Sequence, residues 1–276
     1  MFLWGGGWSA LKILTQSIDM VSLVFWRFFL MSISFIPILY ILKLPFTFNK
    51  HSIRYIFSSS ILNLSFMVFS YLAIKSGLAG SGSVIITTFS PILTFVLMAI
   101  IFKSNTSKHQ RVGLLLGLLG GFILLELHDI SLFLHSSNIY FLFCALVWAG
   151  ITILSSYSHK YIHPVYYSFF ISLIATISSF LYAIYSDATL SNVFHQNSEF
   201  WIALIYLAVL GQSVATTIFF IASAKLGSQK TSSFMFLVPV FALLIAWGLL
   251  DEPIQLHIII GGAISMVAVY FINKKI

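Results

Sequence analysis

Apolar residues run in unbroken stretches along nearly the whole chain, most of them about twenty residues long, which is what a helix needs to cross roughly 30 Å of hydrocarbon. Between polar breaks the stretches fall at 1–16, 21–42, 55–74, 83–102, 112–127, 139–157, 165–185, 200–223, 232–250 and 257–272. Strands of an outer-membrane barrel alternate apolar and polar side chains in segments of about ten, so continuous runs twice as long exclude that architecture. Charge excludes a water-soluble domain: 8% of the 276 residues are charged and 59% are hydrophobic, against about a quarter charged in soluble domains. At roughly 27 residues for a span with its connection, the chain has room for about ten spans and almost nothing more. The expected fold class is an all-α membrane protein with ten transmembrane helices.

The net charge of +7 has to be read relative to the bilayer. With the N-terminus in the cytoplasm, the connections and tail on that side hold Lys43, Lys50, Arg54, Lys103, Lys108, Arg111, Lys160, Lys225, Lys230, Lys274 and Lys275, and the opposite side holds Lys75. Loop lysines and arginines set orientation, which predicts a multi-pass protein of the cytoplasmic (inner) membrane with both termini in the cytoplasm. The acidic residues Asp19, Glu126, Asp129, Asp187, Glu199, Asp251 and Glu252 all fall on or near the outer side. The basic excess therefore marks topology and contact with the lipid bilayer, and no nucleic-acid partner is expected. The single cysteine, Cys144, lies inside an apolar run and supports no disulfide. Lys12, the first basic residue, sits within the first run and not ahead of it, so no cleavable leader is read there.

The chain also repeats itself at a spacing of about 146 residues. Trp4 matches Trp148, and the break at Asp19-Met20 matches His163-Pro164. The run from Tyr71 to Gly77 answers that from Phe220 to Gly227, Ser90-Pro91 answers Val238-Pro239, and Gly113-x-x-x-Gly117 answers Gly261-x-x-x-Ser265. The repeats divide the chain at 1–134 and 135–276, five spans each. An odd number makes the second half enter the membrane in the opposite sense, giving two inverted five-helix repeats, an arrangement that supports alternating access in secondary transporters.

These residues resemble the EamA-type transporters of the drug/metabolite transporter superfamily over nearly the whole chain. The likeness rests on Trp4-Gly5 with Lys12 eight residues later, Arg27 early in the second span, Pro91 and Pro239, and Asp251-Glu252-Pro253 ahead of a Gly-rich last span. Two departures stand out. Lys103-Ser104 occupies the place corresponding to Asp251-Glu252, and the first span begins late. About fifteen residues reach only about 23 Å, short of the hydrocarbon core, which predicts a native start some six residues upstream. The resemblance implies a secondary transporter that exports a small-molecule solute such as an amino acid by alternating access. An uptake or exchange carrier, a channel and a membrane-embedded enzyme are the alternatives.

Polar residues at helical spacing face protein or a water-filled path, so they locate the expected cavity. The first span carries Trp4, Trp8 and Thr15; the third carries Ser59, Asn63, Phe66 and Ser70; the fourth carries Ser83, Thr87, Ser90 and Thr94. In the second half the sixth span carries Trp148, Thr152 and Ser155, the eighth Gln212, Thr216 and Ser223, and the ninth Ser232, Ser233 and Pro239. These spans line the cavity in the family the chain resembles. The expected substrate-cavity residues are Trp4, Trp8, Asn63, Thr87, Ser90, Trp148, Thr152, Gln212 and Thr216. The competing account of each Ser or Thr is a hydrogen bond that joins helices. The seventh span, with Ser168, Ser172 and Ser179, carries a stripe of the packing kind.

Lys12 and Arg27 are the charges nearest the membrane interior. They either reach the outer surface, with Asp19 or Glu252 as partner, or attract a substrate carboxylate near the pathway. Pro91 and Pro239, each removing a backbone donor at equivalent places, are expected hinges. Gly113, Gly117, Gly120 and Gly121 against Gly261, Gly262, Ser265 and Ala268 form small-residue faces, within the bundle or at a homodimer seam. No catalytic residue, cofactor or metal site is expected. His159-x-x-x-His163 is followed at once by Pro164 without carboxylate support, and His128-Asp129 with His135 is no better as a ligand set.

Overall fold

In the computed structural model, described for all residues except 47, 77–78, 126–135, 251–255 and 275–276, the chain is a succession of helices. In order they are α1 (Phe2–Gly5), α2 (Gly7–Ser17), α3 (Met20–Leu42), α4 (Ser52–Ser76), α5 (Ala79–Phe102), α6 (Lys108–Leu124), α7 (Ser136–Ser158) and α8 (Pro164–Tyr185). After a 3-10 turn at Leu190–His195 come α9 (Ser198–Ile205), a π-helical segment (Tyr206–Thr216) and α10 (Thr217–Leu226). The rest is α11 (Ser228–Ser233), a 3-10 turn (Phe234–Leu237), α12 (Val238–Leu250) and α13 (Leu256–Asn273). Six helical stretches among the described residues are long and apolar enough to cross a membrane, by length and composition. No strand forms among the described residues beyond one isolated bridge, Phe48 to Ile162, which ties two connections together.

Side chains at the helix starts show why the rods begin where they do. The first N–H groups of a helix lack intrahelical partners, and a short polar side chain just ahead supplies one. Asp19 accepts from Ser22 N–H at 3.0 Å, and Asn197 accepts from Phe200 N–H at 3.0 Å. Ser107 and Gln110 cap each other reciprocally at the start of α6. At α8, His163 Nδ1 accepts from Val165 N–H at 3.3 Å, with Pro164 filling the first turn. Burial pushes the His163 pKa down, which favours the neutral ring that this bond requires.

Four pairings organise the bundle: α6 with α13, α4 with α7, α5 with α7, and α3 with α8. The first is a seam of small residues inside one chain. A Cβ added at Gly120 would sit 2.7 Å from Ser265 Oγ and 2.9 Å from the Gly261 carbonyl, and one at Gly113 would sit 2.8 Å from the Ala268 carbonyl. Only hydrogen fits there, so the backbones approach closely and gain dispersion contact where lipid offers no hydrophobic incentive to associate. Polar ties cross the other contacts: Ser90 of α5 donates to the Ala145 carbonyl of α7 at 3.1 Å, Ser32 of α3 is bonded to Thr176 of α8 at 3.1 Å, and Ser59 of α4 is bonded to Tyr167 of α8. Glu126, Asp129, His128, His135, Asp251 and Glu252 lie outside the described residues.

The seam makes a direct expectation. Gly120→Val should lower the thermal midpoint of the purified protein, with overpacking costing about 1–3 kcal/mol. Leu119→Ala, on the exposed side of the same helix, should stay within about 0.5 kcal/mol. Equal midpoints for the two variants would show that α6 and α13 do not meet at Gly120.

Candidate functional site

A central cavity of about 90 Å³ lies where α1, α2, α3, α4, α5, α7, the π segment and α12 converge. Of the expected cavity residues, Trp4, Trp8, Thr87, Trp148, Gln212 and Thr216 line it, as does Arg27. Apolar side chains including Leu11, Phe66, Ile86, Leu207 and Val238 supply most of the remaining wall. Asn63, Ser90 and Thr152 are buried on the right helices but belong to the packing. Asn63 donates to the Ser59 carbonyl at 2.8 Å, Thr152 to the Trp148 carbonyl at 2.8 Å, and Ser90 crosses to the Ala145 carbonyl of α7 at 3.1 Å.

Aromatic rings form one wall. Trp4 meets Trp148 edge to face, with centroids 5.2 Å apart, and Phe219 at 5.1 Å, while Phe66 meets Trp148 at 5.2 Å. Such pairs add about 0.5–1.5 kcal/mol beyond the area they bury. The Trp4 indole N–H also donates to the Gly211 carbonyl at 3.0 Å, joining the first helix of the chain to the π segment 207 positions later.

The π segment was not legible in the spacing of polar residues. Its wider turns displace carbonyls from their usual α-helical partners, and π-helical turns recur at functional sites. Here hydroxyls take up some of them: Thr216 donates to the Gly211 carbonyl at 3.2 Å and Ser213 to the Ala208 carbonyl at 3.1 Å. The Gly211 oxygen thus serves both Trp4 and Thr216, and Gly211, Gln212 and Thr216 all reach the cavity. Gly211 in the middle of an apolar run was the signal available in the sequence.

The two inner cations have different surroundings. Lys12 Nζ donates to the Ile74 carbonyl at 2.9 Å, in the last turn of α4, where carbonyls lack helical partners and the helix dipole favours a cation. Arg27 is 6% exposed and its Nε is buried without a hydrogen-bond partner. Two more buried atoms among the described residues share that condition on the same cavity, Trp148 Nε1 and the Gln212 carboxamide oxygen. Pro91 lies inside α5 one turn beyond Thr87, whose carbonyl loses its i+4 donor there. Pro239 stands at the start of α12, directly after the 3-10 turn.

Wider cavities flank the central one. One of about 650 Å³ is lined by residues including Asp19, Tyr71, Lys75 and His195; another of about 600 Å³ is lined by residues including Asn49, His163 and Lys225. Asn49 precedes α4 and Lys75 lies in its last turn, so the two cavities sit at opposite ends of that helix.

Comparison with known proteins bears on this arrangement. The profile of the EamA-like transporter family matches residues 1–125 and 135–274. An uncharacterized transporter of Archaeoglobus fulgidus is 25% identical over 288 aligned positions, covering 100% of this chain and 95% of its own length. A WAT1-related chloroplastic protein of Arabidopsis thaliana is 28% identical over 71% of this chain and 48% of its own. An uncharacterized transporter of Synechocystis is 29% identical over 71% of this chain and 64% of its own. A solved crystal structure of a protein 14% identical superposes with a TM-score of 0.74, covering 98% of this chain and 92% of that one, a likeness of fold.

The bond between Trp4 and Gly211 can be tested alone. Trp4→Phe keeps an aromatic ring but removes the donor, at a cost of about 0.5–1.5 kcal/mol. Amide hydrogen exchange in peptides covering Tyr206–Thr216 should accelerate several-fold in the variant. Exchange there equal to wild type would remove Trp4 as the anchor of the π segment.

Proposed function

The chain belongs to the EamA-like transporter family, and from that premise we propose that it is a secondary transporter exporting a small metabolite, such as an amino acid, by alternating access. In this reading ten membrane-spanning helices form two inverted five-helix repeats, 1–134 and 135–276. The protein sits in the cytoplasmic membrane with both termini inside.

The observation that carries the reading is the central cavity itself, small, walled by aromatic rings from both halves, and flanked at opposite ends of α4 by wider polar cavities. A separate aromatic-walled site lying between two end cavities is the arrangement a carrier needs. The internal likeness supports the inverted repeat, because repeats of this kind rock about a site near the bilayer midplane. The excess of lysine and arginine on one set of connections supports the orientation. Trp4, Trp8, Thr87, Trp148, Gln212 and Thr216 face the solute; Asn63, Ser90 and Thr152 hold the surrounding helices, and Pro91 and Pro239 let two of them bend.

Reconstitution tests the reading. Purified protein in liposomes should move solute from a metabolite mixture saturably and stereoselectively, with and without a pH gradient to reveal coupling. Replacing Pro91 and Pro239 together with alanine should cut that rate about tenfold or more while the thermal midpoint holds. Unchanged transport in the double variant would remove the hinges, and non-saturable flux in the wild type would favour a channel.

A further inference from the structure

Arg27 poses a problem that helix packing does not answer. It lies seven residues into α3, about 10 Å along the axis, and is more than nine-tenths buried. A guanidinium stays protonated in such a place and offers five N–H donors in a planar fork. Lys12, the neighbouring inner cation, donates to a helix-end carbonyl, but Arg27 Nε is buried with no partner. Among the described residues that line the central cavity, Arg27 is the only charged side chain.

Two further cavity atoms are in the same condition and have complementary chemistry. Trp148 Nε1 is a donor, and the Gln212 carboxamide oxygen is an acceptor; both residues are more than nine-tenths buried. One cavity therefore presents a fixed cation, a neutral donor and a neutral acceptor, each lacking a protein partner, within otherwise apolar walls. Native proteins pair nearly all buried polar atoms; of the eight unpaired ones among the described residues, three, the cation included, belong to residues of this one cavity, which points to a ligand that completes them.

We propose that the cavity binds a monocarboxylate with a hydrogen-bond donor next to the carboxylate and a compact apolar remainder, as in a neutral amino acid or hydroxy acid. The carboxylate pairs with the Arg27 fork, assisted by Trp148 Nε1, and the amine or hydroxyl donates to Gln212. This assignment rests on the carrier reading above and names the solute class for that site. A phosphate dianion would meet a single cation, a neutral sugar would leave the guanidinium unpaired, and a cationic solute would be repelled by it. Arg suits the task because its fork engages both carboxylate oxygens, which the point charge of lysine does not.

The test uses the full chain, in detergent for thermal shifts and in liposomes for uptake. The probes are L-alanine and L-leucine, their amides, the deaminated acids propionate and 4-methylpentanoate, sodium chloride, and glycerol and choline as neutral and cationic solutes. The amino acids should raise the wild-type midpoint and enter the vesicles at least tenfold faster than their amides, with the deaminated acids in between. Arg27→Gln should abolish the solute-dependent shift and lower uptake tenfold or more, with a solute-free midpoint equal to or above wild type. Arg27→Lys should retain part of both, and Arg54→Gln, on an exposed site, should match wild type. Amides equal to acids, a shift reproduced by chloride alone, or an Arg27→Gln variant that moves acids at the wild-type rate would each overturn the assignment. So would a loss of solute-free stability in Arg27→Gln, which would make Arg27 a packing residue, and the acid-to-amide contrast on wild type needs no variant at all. Uptake of glycerol or choline without the acids would sink the assignment and leave the carrier reading standing. Acid-dependent shifts without uptake of any solute would do the reverse.

Discussion

With no water in hydrocarbon to take up a stray N–H or C=O, each spanning segment must satisfy its backbone internally, and helices are the form that does so one segment at a time. Once that is done, lipid tails are as apolar as leucine, so helices gain little by touching each other on hydrophobic grounds. Position must come from close packing and from polar bonds across helices. The Gly120 to Ser265 contact between α6 and α13 is the first device. Ser90 to the Ala145 carbonyl, Ser223 to the Thr152 carbonyl and Ser59 with Tyr167 are the second. The same constraint gives weight to the exceptions, because a buried polar atom left unpaired in this setting is unfavourable and stands out from a background of satisfied ones.

Three of the eight such atoms among the described residues, on Arg27, Trp148 and Gln212, belong to residues around the central cavity, where the helices are least regular. α1 ends at Gly5, and the Tyr206 hydroxyl donates to the Leu3 carbonyl at 2.8 Å near that break. Opposite, the π segment presents Gly211 to Trp4 and Gln212 to the cavity. Irregular backbone at membrane depth is tolerated where it is buried in protein or lines a cavity, and here both conditions hold. The cost of each irregularity is offset locally, by Tyr206 and Trp4 on one side and by Thr216 and Ser213 on the other.

Much of this was legible in the sequence because hydropathy and helix length are governed by the same bilayer. The apolar runs anticipate where the rods lie, and the breaks at Asp19-Met20 and His163-Pro164 anticipate two of their starts. The small-residue faces of Gly113 to Gly121 and Gly261 to Ala268 anticipate a close seam. Polar stripes anticipate the helices around the cavity better than the residues that line it. Asn63 and Thr152 sit on lining helices, yet each side chain bonds to a carbonyl four residues back in its own helix. Spacing fixes a face, whereas competition from the nearest free carbonyl decides where a short polar side chain points. The π segment escaped for a related reason. Polar stripes are read at a period of 3.6, and a local widening changes the face that later residues present without changing composition. Arg27 and Lys12 looked alike as isolated charges, and only the placement of the α4 terminus separates them.

For the proposed carrier, alternating access requires the walls of the cavity to part on one side at a time, and not all walls can move alike. The α6 to α13 seam sets glycine backbone against backbone carbonyls at Gly113, Gly120 and Gly261, which leaves little room for one helix to slide on the other. The aromatic wall differs, since Trp4 meets Trp148 edge to face while Trp4 with Phe219 and Phe66 with Trp148 are tilted, so its contacts are between side chains and not between backbones. Trp4 cannot slide alone, because its indole is tied to Gly211 and a Cβ at neighbouring Gly5 would lie 2.7 Å from Ala242 N of α12. The first helix, the π segment and α12 are thereby one mechanical unit. Pro239 stands at the start of that α12 and Pro91 lies one turn past the cavity-lining Thr87, so the two places where backbone bonds are missing border the unit that has to yield. A carboxylate drawn to Arg27 would meet α3 and the π segment together, two elements already joined where Ser213 donates to the Met31 carbonyl at 3.3 Å, so solute binding and the packing of the unit act on the same contact.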